Sequence, residues 1–243
     1  MIISLLFLSL FIKYIYGFTA VNSFSTTLKS LKLTPNQQIF YNYLQDDETS
    51  IVICHGISGT GKSYLSTLYA LNELKSKRKD KIILTRPTVL IDSTDFGALP
   101  GNINDKMTPY MQHICYIIGS EPNNSSNLYN IVKENKIEVI PLEYMRGHTF
   151  KDLVVIADEM QNSTNRQMKA LLTRIGTGSK VIVLGDQEQS DLDNHEENGL
   201  INFINKYKNY SKNNKANFVK IVKFTEEDIK RSDIVKEVLK IYE

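Results

Sequence analysis

The chain has 243 residues, 42% of them hydrophobic and 23% charged, which excludes disorder and collagen-like repeats and suits one substantial domain with appendages. Twenty-nine Lys and Arg against 27 Asp and Glu leave a net charge of +2, so no global excess advertises a nucleic-acid or membrane partner, and any such surface must be local. Cys54 and Cys115 sit in apolar runs with no second Cys or His at metal-ligand spacing, a pattern of buried thiols and not of a metal site.

In chain order, Met1 to Ile12 reads MIISLLFLSLFI, followed by Lys13, Tyr14-Ile15-Tyr16 and Gly17. The run is shorter than the ~20 residues of a bilayer span. It has the length of a secretory h-region and ends near a small residue, without a basic n-region. Residues 1–17 are expected to be a hydrophobic leader, signal or anchor; an uncleaved anchor would be the chain's one link to a membrane, and a start codon placed upstream of the true one is a further alternative. Residues 18–32 are Ser/Thr-rich and free of acids, a linker or the second half of an organelle-type signal. One domain is expected over 33–243.

From Leu33 onward, short β-branched runs alternate with longer helical stretches, the pattern of an α/β fold with a mostly parallel sheet. The predicted strands are Ser50–His55, Lys81–Thr85, Lys136–Pro141, Leu153–Ala157, Lys180–Leu184 and Phe218–Phe224. Several are continuously apolar, as strands covered on both faces are. Predicted helices cover Gln38–Leu44, Tyr64–Leu74, the apolar stripe Met107, Tyr110, Met111, Ile114 and Ile118, the stretch Met168–Arg174, and a last helix opening at Thr225-Glu-Glu-Asp228 with a capping-box start. Residues 120–127 and 208–217 are polar and read as exposed loops.

Gly56-Ile57-Ser58-Gly59-Thr60-Gly61-Lys62-Ser63 fits G-x-x-x-x-G-K-[ST] and lies between a predicted strand and a predicted helix, the context this phosphate-cradling loop requires. Its glycines let backbone N–H groups converge on phosphate oxygens, Lys62 adds a point charge at the β- and γ-phosphates, and the Ser63 hydroxyl suits Mg²⁺. The strand at 153–157 ends in Asp158-Glu159. In an open parallel sheet both acids reach the same carboxyl edge as the loop, where Asp158 would hold Mg²⁺ and Glu159 would orient and deprotonate a water. A third strand ends in Gly185-Asp186-Gln187-Glu188-Gln189; Gln189 could meet a γ-phosphate or the water, and Asp186 reads either as part of that cluster or as a structural loop carboxylate. Gln37, in Thr34-Pro-Asn-Gln37, could pair with an adenine edge or serve as a helix cap.

TPNQ at 34–37, GTGKS at 59–63, ILTRP at 83–87, LPG at 99–101, PLEYMRGHTF at 141–150, ADEMQNS at 157–163, MKALLTRIGTGSK at 168–180 and GDQEQSDL at 185–192 together resemble the PhoH-like ATPases over about Leu33 to Tyr242. The resemblance implies a three-layer RecA-like P-loop domain similar to the core of the first helicase superfamily, with ATP and Mg²⁺ as cofactors. It implies Gln37 for adenine, Lys62 and Ser63 for phosphate and metal, Asp158 and Glu159 for metal and water, and Gln189 as a γ-phosphate sensor. It also implies a cytoplasmic ATPase coupled to single-stranded RNA and assembled as a homo-oligomer, a hexameric ring; the leader sets a secretory or organelle destination against that location. Two stretches depart from the family pattern: Val89–Ala98 lacks an early glycine, and Ser232 stands where the family commonly has histidine. Both bear on substrate contacts and leave the nucleotide core unaffected. Arg86, Arg146, Arg174 and Arg231 lie in family-like motifs, with Arg174 the first choice for a finger reaching a neighbour's γ-phosphate and Arg86 for a nucleic-acid phosphate. The basic run Lys75–Lys79 looks like a nucleic-acid patch but reads better as a solvated helix end, where cations suit the dipole. A P-loop phosphotransferase and a nucleotide-gated binding protein with little turnover are the alternatives.

Overall fold

The computed structural model describes residues 32–87, 135–145, 147, 149–190, 192, 198–215 and 217–229. The leader, Cys115, the stripe from Met107 to Ile118, the loop at 120–127, Val89–Ala98, Arg146, Arg231, Ser232 and the body of the last predicted helix lie outside them. Among the described residues no helix is long and apolar enough to cross a membrane. The chain divides into two units, the larger made of Lys32–Val89 and Ile140–Glu243.

All six predicted runs form strands: β1 (Ile51–Gly56), β2 (Lys81–Thr85), β3 (Ile137–Val139), β4 (Leu153–Ala157), β5 (Lys180–Gly185) and β6 (Val219–Phe224). β3 belongs to the smaller unit. In the larger unit the strands neighbour one another in the order β2-β4-β5-β1-β6. Every pairing there is parallel, with Ile53 opposite Val183 and Ile221, and Val155 opposite Ile83 and Val181. Parallel strands need crossover connections, and helices lie between β1 and β2, β4 and β5, and β5 and β6 along the chain.

Each helix has a legible start. In α1 (Pro35–Gln45) the Thr34 side chain accepts the Gln37 N–H while the Gln37 side chain accepts the Thr34 N–H, so the cap reading of Gln37 is correct and the helix begins earlier than Gln38. α2 (Lys62–Lys75) starts directly from the glycine loop, with Gly61 at φ 87° as its N-cap. α3 (Asn165–Leu172) opens on a second capping box, Thr164 with Gln167. α4 (Gly199–Asn213) opens on Asn198, whose side chain accepts from Leu200 and Ile201.

Alternation along the strands divides the core. Ile53, Ile83, Val155, Val181 and Val183 face Met168 and Leu171 of α3 and Leu200 and Ile204 of α4, all in one buried cluster. Residues of opposite parity, among them Val52, Cys54, Val154, Ile182 and Phe224, are also buried; on their side Phe40 of α1 meets Phe224 edge-on at 5.6 Å, and α2 packs on β2, β4 and β5. The result is a three-layer α/β unit whose sheet is dry on both faces, which explains the continuous apolar runs. Cys54 is free and buried as expected.

Three expectations are corrected. The polar stretch 208–217 is helical as far as Asn213, because Leu200, Phe203, Ile204 and Tyr207 repeat at helical spacing and the Tyr207 hydroxyl anchors the helix by donating to Val219 O at 2.7 Å; its exposed face carries the loop-like composition. Arg174 is not helical: α3 stops at Leu172 and the chain turns there. At Thr225 the capping box is real, but it opens a short 3₁₀ turn, Glu226–Asp228. One buried cation was not anticipated. Lys180, at the start of β5, donates to Tyr43, Leu44 and Asp46 carbonyls at the end of α1, a favourable place for a positive charge, although burial pushes its ammonium down to about 8.

Candidate functional site

The carboxyl end of β1 leads straight into the glycine loop. Gly56 has φ 133°, and a Cβ there would lie 2.0 Å from Phe224 O. A side chain would therefore strain the backbone and collide with β6. Gly56→Ala is expected to destabilise the fold by more than about 2 kcal/mol, read as a lowered denaturant midpoint.

Within the loop the Thr60 hydroxyl donates to Ile57 O at 2.8 Å, and Gly59 and Gly61 have φ 77° and 87°. Lys62 is only 8% exposed and folds back over the loop, its Nζ donating to Gly56 O at 2.5 Å and Ile57 O at 2.8 Å. Burial lowers its pKa, while the nearby carboxylates of Asp186, Asp158 and Glu159 oppose the shift. Three acids around one buried ammonium keep this pocket of charge compensated.

One strand, β5, separates β1 from β4, and all three end at the same edge. At the end of β4, Asp158 accepts the Ser63 hydroxyl at 2.7 Å on Oδ2 and the Glu159 N–H at 3.0 Å on Oδ1. The two residues expected to share a metal are thus in direct contact. Among the described residues no group of three His, Cys, Asp or Glu could hold a metal ion; a hydroxyl with one carboxylate is the sparse protein share that Mg²⁺ takes when phosphates supply further oxygens, so Ser63 and Asp158 fit it. Glu159 sits beside them in a left-handed backbone conformation, φ 55°, its Oε2 accepting Gln161 Nε2 at 2.6 Å.

At the end of β5, Asp186 is 5% exposed. Its Oδ2 accepts Ser58 N–H of the loop at 2.9 Å and its Oδ1 accepts Glu188 N–H at 3.1 Å. Asp186 is thus a loop carboxylate that braces its own turn, and it also touches the glycine loop. Gln189 is exposed in the turn that follows, its N–H donating to Asp186 O at 3.2 Å. Gln37 lies on the other flank, where its Nε2 donates to Thr60 O at 3.0 Å and Asp228 O at 3.1 Å. Asp228, 1% exposed, gathers Thr34, Asn36 Nδ2 and Thr225 N–H on its carboxylate. Although burial raises its pKa, these hydrogen bonds outweigh that and hold the carboxyl below the usual range.

His55 precedes the loop and is 6% exposed. Burial, then the charges of Lys223, Lys208 and Lys62, lower its pKa to about 4. The folded state resists the proton that the unfolded chain accepts near 6.5, so stability must fall as pH drops from about 6.5 to about 4 and level off below. His55→Gln is expected to flatten that part of a stability-against-pH curve measured by denaturation.

Arg174 lies elsewhere. Its carbonyl accepts Phe150 N–H at 2.8 Å, ahead of the first residue of β4, whereas Asp158 follows the last. A five-residue strand spans about 17 Å, so Arg174 is at the opposite edge of the sheet from its own glycine loop. Its Nη2 donates to Thr173 Oγ1 at 3.3 Å and its Nε, though buried, has no partner among the described residues. Sequence reasoning missed Gln161 and the hub role of Asp228; the first stands inside ADEMQNS, the second was visible as a cap alone.

A parallel sheet with a phosphate loop on one strand, an Asp-Glu pair on another, and the loop serine bonded to that Asp defines a P-loop NTPase. The chain belongs to the PhoH-like family: the family described as PhoH-like protein matches residues 31–243. It is 35% identical over 209 residues to a PhoH-like protein of Mycobacterium bovis, covering 86% of this chain and 56% of that one. To Protein PhoH of Escherichia coli K12 it is 36% identical over 203 residues, 83% of this chain and 55% of that one, and to a PhoH-like protein of Synechocystis 41% over 150 residues, 62% and 45%. The chain thus spans about half the length of these curated relatives. Among solved structures, the Pif1 helicase from Candida albicans overlaps 81% of this chain and 40% of its own at 15% identity and a TM-score of 0.41, a partial likeness of chain trace that says nothing about shared chemistry.

Proposed function

We propose that this protein binds ATP with Mg²⁺ and hydrolyses it, as a RecA-like unit working on single-stranded RNA within a homo-oligomeric ring. The observation that carries the hydrolytic reading is the Ser63–Asp158 hydrogen bond at 2.7 Å with Glu159 next in sequence. It supports one patch of oxygens for a metal and one adjacent carboxylate for a water. When bound, Mg²⁺ would neutralise charge on the phosphates. The chain's own part is then positional. The loop N–H groups and the start of α2 hold anionic oxygens; Lys62 trades its two carbonyl acceptors for phosphate oxygens; Glu159 orients a water and takes its proton.

Gln37 is the adenine-side residue in this reading, favoured by its bond to Thr60 within the loop, and Gln189 the γ-phosphate sensor, favoured by its place one turn beyond Asp186. RNA is supported by Arg86, which follows β2 at the carboxyl edge of the sheet, a place from which a guanidinium meets a phosphate backbone. The ring, hexameric by family resemblance, would let two such units close around one nucleotide. The test is phosphate release by the full chain with Mg²⁺ and ATP, with and without single-stranded RNA. Free phosphate is expected, faster with RNA. A phosphorylated acceptor without free phosphate would show a phosphotransferase, and intact bound ATP a nucleotide-gated binder.

A further inference from the structure

Gln161 is 1% exposed and its amide has one possible orientation. Its Oε1 accepts Asp186 N–H at 3.0 Å, and its Nε2 donates to Glu159 Oε2 at 2.6 Å. A backbone N–H can only donate and an ionised carboxylate can only accept, so a flipped amide would face donor to donor and acceptor to acceptor. The surroundings also hold the backbone that carries this amide. Gln161 O accepts Asn198 Nδ2 at 2.7 Å and the Ser190 hydroxyl at 3.1 Å. The amide lies against Gly185, where a Cβ would be 2.6 Å from Leu200 Cδ2, 3.0 Å from Gln161 Oε1 and 3.1 Å from Gln161 N, so a side chain at the end of β5 would crowd it.

Beyond Gln161 the path continues in both directions. Asp186, whose N–H the amide holds, accepts Ser58 N–H of the glycine loop at 2.9 Å. Glu159, whose carboxylate the amide holds, keeps a left-handed backbone at φ 55°, a conformation that costs a non-glycine residue energy and persists where neighbours enforce it. The chain of contacts is Ser58, Asp186, Gln161, Glu159.

We propose that Gln161 is a positioning residue that ties the direction of the Glu159 carboxylate to the state of the glycine loop through Asp186. Its importance for turnover rests on the hydrolytic reading above; the physical coupling does not. An anion that enters the loop competes with Asp186 for Ser58 N–H, and any shift of the Asp186 backbone is felt at Gln161 Oε1 and passed to Glu159 by the same rigid amide. The carboxylate is thereby aimed when the loop is filled.

Two near-isosteric variants separate the ends of the amide. Gln161→Leu removes both bonds. Gln161→Glu can still accept Asp186 N–H but cannot donate to Glu159, and it sets a second carboxylate against it. In the full chain both are expected to lower kcat by about 10–100-fold while KM for ATP stays within about threefold, the split of a group that acts after binding. Asp186→Asn combined with Gln161→Leu should lose much less than the product of the single losses, because the two residues form one chain. The nucleotide-free protein gives a readout apart from hydrolysis: the Ser58 amide resonance should move in Gln161→Leu and Asp186→Asn and stay in place in Gln161→Glu. A Ser58 resonance unmoved in Gln161→Leu, full kcat in both Gln161 variants, or multiplicative losses would overturn the proposal. If the wild-type chain releases no phosphate, the hydrolytic reading falls, and the Ser58 resonance still decides the coupling. Should Gln161→Leu fail to fold, Gln161→Glu and Asp186→Asn carry the test.

Discussion

Glu159→Gln is expected to keep Mg²⁺-dependent ATP binding and to lose about 10²–10⁴-fold in phosphate release, because the substitution preserves size and removes the proton acceptor. The amide still meets Gln161, whose Nε2 now faces a side-chain carbonyl in place of a carboxylate, so the site stays folded. Lys62→Ala should act earlier in the cycle. Its ammonium is buried and bridges Gly56 O and Ile57 O, so truncation removes the charge meant for phosphate and leaves two loop carbonyls without their donor. ATP affinity should fall by at least about tenfold, since a charge-assisted hydrogen bond contributes about 1.5–3 kcal/mol. Equilibrium nucleotide binding alongside phosphate release under single-turnover conditions distinguishes the two. Unchanged release in Glu159→Gln would remove Glu159 from the role of base.

Arg174→Ala is expected to lower turnover by about 10³–10⁵-fold, the range of a trans-acting arginine, with ATP binding by the isolated subunit intact. The position of this residue makes the prediction sharp. Its carbonyl pairs with Phe150 N–H before β4 begins, so its guanidinium serves the opposite edge of the sheet from its own Ser63 and Asp158. In the proposed ring, a phosphoryl group that it touches would be one held by a neighbour. Mixing inactive Arg174→Ala subunits with inactive Glu159→Gln subunits should restore part of the activity, because some interfaces then join an intact base to an intact arginine. A fully active monomer in sedimentation, or no recovery on mixing despite co-assembly, would reject the trans arrangement.

The strands, the phosphate loop and the Asp-Glu pair were all legible in the sequence, and the reason is that each is a local signal. A continuous β-branched run such as Leu153–Ala157 reports burial on both faces without reference to its neighbours, and the spacing from Gly56 to Ser63 is set by how a short loop closes around phosphate. Even the capping boxes at Thr34 and Thr225 are written in four consecutive residues, although the second opens a 3₁₀ turn and not the expected helix. The stretch 208–217 misled because an amphipathic helix end with Lys and Asn on its outer face has the composition of a loop; the Tyr207 bond to Val219 that anchors it comes from the next strand.

Tertiary structure alone decided which local signals meet. Ser58 and Asp186 are 128 positions apart and Ser63 and Asp158 are 95 apart, and their contacts exist because parallel strands in the order β4-β5-β1 end at one edge. The same geometry placed Arg174 at the far edge, although in sequence it lies closer to Asp158 than the glycine loop does. Gln161 was readable as a polar residue in a motif, but its role required knowing that Gly185 leaves room beside it and that a carboxylate and a backbone N–H flank it. A sequence records which groups are present and how they are spaced along a helix or strand; directional bonds between buried polar groups depend on register and packing between elements, which appear when the sheet assembles.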